Sequence, residues 1–120
     1  MGMKEKLYGE GSKLKGFMVH ELKKQVNVPS NYNIHELKLR EEYKSPIENL
    51  SKTFEIRKED DKTFKEGDLL MLKVIDKENK LTGDILSAQV EYVLRDNEFC
   101  KEGYVTMAIK YLKTTNMFIY

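Results

Sequence analysis

The chain has 120 residues, 40% hydrophobic and 34% charged, which fits one globular domain rather than a disordered segment. Its net charge of +1 excludes a polycation. No apolar run approaches the roughly 20 residues of a membrane span, so no membrane partner is expected. The single cysteine, Cys100, excludes an internal disulfide and a cysteine-based zinc site, and it points to a reducing, cytoplasmic setting.

The N-terminal residues carry lysines without an apolar stretch, so no signal peptide is expected. Residues 1–33 hold six lysines against three acids, whereas residues 34–120 carry fifteen basic and seventeen acidic groups. A polyanionic ligand therefore needs a local basic cluster or help from this N-terminal arm. Within the arm, Leu14, Phe17, Met18, Leu22 and Val26 recur at helical spacing. They predict a short amphipathic helix from about Ser12 to Val26, with Ser12 as cap and Gly16 as a weak point. The helix either packs on the domain as an extension or contacts a protein partner. Asn27 to Asn33, with Pro29, reads as a linker.

From Ile34 the pattern turns to strands. Ile34 to Arg40 predicts the first, and Glu41 to Leu50 a short helix that Pro46 breaks or starts, with Ser45 as cap. In Thr53 to Lys58, Phe54 and Ile56 face one way while Thr53, Glu55 and Arg57 face the other. Leu69 to Ile75 offers Leu70, Leu72 and Val74 to a core. Asp76 to Asp84 reads as a loop. Ile85 to Arg95 alternates most clearly, with Leu86, Ala88, Val90, Tyr92 and Leu94 on one face. Tyr104 to Leu112 places Val105, Met107, Ile109 and Tyr111 together, and residues 113–120 form a last short strand or a tail. The expected division is an arm over 1–33, a domain over 34–112, and the tail. The fold class is α+β, mainly β: a small β-barrel whose closure removes exposed edges.

The run Ser51-Lys52-Thr53-Phe54-Glu55-Ile56-Arg57 resembles the ASCH signature G-x-K-x-x-E-x-R. His35-Glu36-Leu37-Lys38 precedes it. Phe64, Gly67-Asp68-Leu69-Leu70, Thr82-Gly83, Val90-Glu91-Tyr92-Val93-Leu94 and Gly103-Tyr104-Val105 follow in order. This set, over about residues 34–112, resembles a bacterial and phage subgroup of ASCH domains described as RNA-binding. The resemblance implies a PUA-like β-barrel with a helix between the first strands and an N-terminal helical extension added here. It also implies a groove for RNA or a modified nucleotide lined by the signature residues. One branch of the family hydrolyses the amide of an acetylated cytidine, using a threonine where this chain has Glu55. Two further departures are Leu50 in place of the signature glycine and a longer, less basic turn at Asp60-Asp61-Lys62.

The candidate ligand-binding residues are Lys52, Glu55 and Arg57, joined by His35 and Lys38 from the first strand. Arginine offers a rigid fork of donors suited to phosphate or a base edge, and a neighbouring carboxylate holds that fork or accepts from a base amino group. The same Glu–Arg pair also reads as a structural one that fixes the barrel. Three functions stay open. In the first, the domain binds RNA or a nucleotide. In the second, it is a hydrolase, an amidohydrolase or nuclease in which Lys52 steadies an oxyanion and Glu55 is general acid/base. In the third, it is a phage-type interaction module that meets a protein through its arm. No cofactor and no metal site are expected, since two histidines and a single cysteine fit no common ligand spacing.

Overall fold

A computed structural model describes residues 13–96 and 98–117, and its framework is a sheet of five strands. The chain enters through helix α1 (Lys13–Leu22) and the linker, then forms β1 (Ile34–Arg40). A 3-10 turn (Glu41–Tyr43) and helix α2 (Lys44–Glu48) lead to β2 (Phe54–Lys58). Strands β3 (Leu69–Ile75), β4 (Leu81–Leu94) and β5 (Tyr104–Asn116) complete the chain. Ser12 and residues 118–120, expected as helix cap and tail, lie outside the described residues.

The strand order is β1-β3-β4-β5-β2. Strand β1 runs parallel to β3, and every other neighbouring pair is antiparallel. The sheet curls around one apolar face. Leu39, Leu70, Leu72, Val74, Leu86, Ala88, Val90, Val105, Met107 and Ile109 fill its concave side, and Ile47 of α2 and Phe64 plug it. The curl stops short of a closed barrel. The outer edges of β1 and β2 share no backbone ladder; among the described residues, side chains from β2 and the turn after it bridge to β1: Arg57 Nη2 donates to the Lys38 carbonyl at 2.8 Å, and Lys62 Nζ to the Glu36 carbonyl at 3.4 Å. These carbonyls are two residues apart on one strand edge, so they point the same way. The expected closure is thus replaced by a half-barrel with an open seam.

The convex face carries a second core. Met18, Val19 and Leu22 of α1 bury against Leu69, Met71 and Ile85, with Met117 beside them. The helix ends at Leu22, short of the expected Val26, and Phe17 stays exposed because the buried stripe falls on the neighbouring positions. Linker residues Val28 and Tyr32 pack against the same core, and the Gln89 side-chain amide donates to the Asn27 carbonyl at 2.7 Å, which ties the linker down.

Two strand boundaries and one alternation differ from the sequence pattern. Strand β4 begins at Leu81, so the turn before it is confined to 76–80, where the Asp76 carboxylate accepts from the amides of Glu78 and Lys80. Strand β5 runs on to Asn116, so residues 113–116 continue it rather than forming a separate strand. A bulge between Val90 and Tyr92 flips the side-chain alternation. Tyr92 therefore turns out to solvent, while Val93 packs against the core.

Candidate ligand-binding cleft at the sheet seam

The cleft is built on β2, whose polarity is inverted. Its apolar residues Phe54 and Ile56 face outward and are exposed, whereas Glu55, 3% exposed, points into the concave face. The register explains the geometry: Glu55 lies opposite Met107 and Arg57 opposite Val105, both core residues. The charged face of β2 is thus the inner face of the half-barrel at its open edge.

A buried carboxylate needs partners, since an isolated buried ion is costly. Glu55 has two cations. Lys52 Nζ donates to Oε2, while Arg57 reaches Oε1 through Nε at 2.9 Å and Nη2 at 2.8 Å. Lys52 Nζ also donates to the Phe54 carbonyl at 2.7 Å. It stands 5.2 Å from the Tyr43 ring centroid and 4.9 Å from that of Phe54, within cation–π range. Two cations against one carboxylate leave a net positive cluster. The cluster opens into a cleft of about 380 Å³ between Lys38–Arg40 of β1 and Lys52–Arg57 at the other edge, with Tyr43 on its rim.

The position of Lys52 follows from how α2 ends. Leu50 takes a left-handed φ of 68°, and the Leu50 and Lys52 amides donate to the Ile47 and Pro46 carbonyls at 3.2 and 2.9 Å. This is a left-handed helix C-terminus, a conformation that glycine adopts without cost and leucine does not. It falls where the resembled signature has glycine.

Of the five residues expected at the site, four meet here: Lys52, Glu55 and Arg57 through side chains, and Lys38 through its backbone carbonyl and position on the rim. His35 does not line the cleft. It is buried with its Nε2 2.9 Å from Asp68 Oδ2 and its ring centroid 4.5 Å from that of Phe64. Asp68 also accepts from the Asn33 amide, the Lys65 amide and Lys65 Nζ, at 2.9, 3.1 and 2.6 Å. That cluster ties the end of the arm, β1 and the entry to β3 together, so His35 is a packing residue. Tyr43 and Arg40 are among the cleft residues that the sequence reading does not join to the site, with the apolar Leu39, Phe54 and Ile56. Tyr43 lies in the stretch Glu41 to Leu50 that the sequence pattern reads as a short helix. The 3-10 turn that brings it beside Lys52 carries no periodic signal.

Among the described residues, no helix is long and apolar enough to cross a membrane. Comparison with curated proteins gives no match. A family model described as a domain of unknown function, DUF3850, matches residues 34–109, which takes in β1 through most of β5 and the whole seam cleft. The chain belongs to the DUF3850 family.

Proposed function

We propose that the seam cleft binds single-stranded RNA or a nucleotide, and that the half-barrel is a PUA-like fold of the ASCH type acting in the cytoplasm. The observation that carries this reading is the Lys52–Glu55–Arg57 cluster: a net positive, mostly desolvated group aimed into an open cleft with aromatic rings on its rim. Glu55 and the Lys38 carbonyl hold the guanidinium from two sides, so its orientation is fixed before a ligand arrives. Preorganised donors recognise a phosphate or a base edge with less ordering cost. Tyr43 offers a face on which an unstacked base can lie.

The hydrolase reading draws on the same carboxylate in a cleft. It is the weaker of the two, because both Glu55 oxygens are already engaged by Lys52 and Arg57. Incubation with acetylated cytidine and with RNA at stoichiometric protein tests it, and absence of turnover rules it out.

The binding reading is tested by titrating the protein into short RNAs, DNAs and free nucleosides beside Lys52→Ala and Arg57→Glu. The expected outcome is saturable binding by the native chain, lost in both folded variants. Unchanged binding by folded Arg57→Glu would remove the cleft from the function.

A further inference from the structure

A second cleft lies where α1 meets the start of β1. Lys15, Val19 and His20 of the helix, with Lys23 just past its end, face Tyr32 and Ile34 across about 420 Å³. Lys23 Nζ stands 4.9 Å from the Tyr32 ring centroid. The seam cleft repeats this pairing of a lysine with an aromatic ring, in Lys52 with Tyr43 and Phe54. A cation beside an aromatic face is what one nucleotide needs, a phosphate partner next to a stacking surface.

The two clefts sit at opposite ends of one strand. Ile34 opens β1 at the helix cleft, and Lys38 to Arg40 close it at the seam cleft. At the usual rise, the strand separates them by roughly 20 Å. The ground between is basic. Glu36 is the acid on the outward face of β1 there, and it is answered by Lys15 at 2.8 Å and Lys73 at 3.4 Å, with Lys62 on its carbonyl. Lys38 is exposed and lies opposite Lys73 in the ladder. Among the described residues the strip therefore gathers Lys15, Lys23, Lys38, Lys62, Lys73 and Arg40 around Glu36, in a chain whose total charge is only +1. Glu41 and Glu42 stand just past Arg40 and end the strip there.

We infer that the N-terminal helix provides a second contact for a single-stranded oligonucleotide, which runs from the seam cleft along the outer face of β1 to Lys15, Lys23 and Tyr32. This rests on the seam cleft binding nucleic acid, and it assigns the ligand as an oligomer rather than a mononucleotide. A reach of roughly 20 Å corresponds to about four nucleotides, the low end of what small barrels hold. The helix lies outside residues 34–109, so the contact is an addition of this chain to the family domain.

The test is fluorescence anisotropy with a labelled oligoadenylate of about eight nucleotides, titrated at salt from roughly 50 to 300 mM. Two phosphate contacts are each worth about 0.7 in the logarithmic salt slope. Lys15→Gln/Lys23→Gln is thus expected to flatten the slope by about 1.4 and to weaken binding at low salt about fivefold or more. Lys23→Gln alone removes the cation beside the Tyr32 ring, and it is expected to flatten the slope by about 0.7. Lys77→Gln/Lys80→Gln, with the same charge change in the β3–β4 turn, is expected to leave slope and affinity close to native. A native slope in both folded helix variants, with binding still lost in Arg57→Glu, would overturn the helix contact and leave the seam cleft standing. No binding by the native chain would overturn both, and an equal loss in the Lys77/Lys80 control would reduce the effect to net charge.

Discussion

Leu50 holds a left-handed backbone at the end of α2, where a side chain costs about 1 kcal/mol or more. Leu50 is 62% exposed, so its side chain recovers little by packing. Leu50→Gly is therefore expected to raise stability by about 1 kcal/mol, read as a higher urea midpoint with unchanged slope. The opposite is expected at Glu55. Glu55→Ala leaves Lys52 and Arg57 without their shared carboxylate in a largely buried setting, a loss of about 3 kcal/mol in the same measurement. Sequence alone made it legible that Glu55 and Arg57 share one side of β2. Which side faces inward was not, because Phe54 and Ile56 are the apolar pair and yet point to solvent. A strand at an open seam buries whichever face the sheet curls around, and local pattern does not record the curl. His35 does not reach the cleft for a related reason: Lys38 to Arg40 of the same strand border it, but His35 lies near the other end and its partner Asp68 is 33 residues on.

At the scale of elements, Asp68 fastens the linker, β1 and the turn before β3. Burial alone would raise its carboxyl, but hydrogen bonds from Lys65, His35 and the Asn33 and Lys65 amides outweigh burial and hold it below the ordinary aspartate range. A depressed folded-state pKa stabilises the protein above the unfolded value of about 4, and that stabilisation is lost as pH falls through it toward the folded value. Asp68→Asn is thus expected to melt lower at neutral pH and to show a shallower fall in melting temperature on acidification below about pH 4. The preceding residue is a second fastening. Gly67 has a φ of 92°, and a Cβ there would stand 2.5 Å from Pro29 Cγ, inside the rigid ring of the linker. Gly67→Ala is expected to cost about 2 kcal/mol and to lift the linker off the sheet, measurable as faster amide exchange around Tyr32. Most strands were legible because alternation and core residues coincide. The bulge at Tyr92 and the extension of β5 to Asn116 were not, since both depend on ladder partners rather than on local sequence.

On the scale of the whole molecule, the charge asymmetry read from the sequence takes on a shape. Helix α1 and the linker fold back over the convex face and place Lys15 and Lys23 beside β1. Packing of the helix on the domain was one of the two readings open from the sequence; the face it covers was not legible, because Leu69, Met71 and Ile85 lie more than forty residues from α1. The strand order carries a further consequence, for the time course of folding. Strands β3, β4 and β5 are consecutive hairpins with the most local pairing, whereas β1 must cross to β3, and β2 must wait for β5. Chains close short loops before long ones. The central meander is therefore expected to nucleate folding, and the two strands that border the cleft, each held along one edge only, to join it late. Native-state hydrogen exchange should find β1 and β2 opening at lower free energy than β3 and β4. The cleft is the last part of the fold to assemble and the first to come apart, and a ligand that fills it joins two strands that the backbone leaves unjoined.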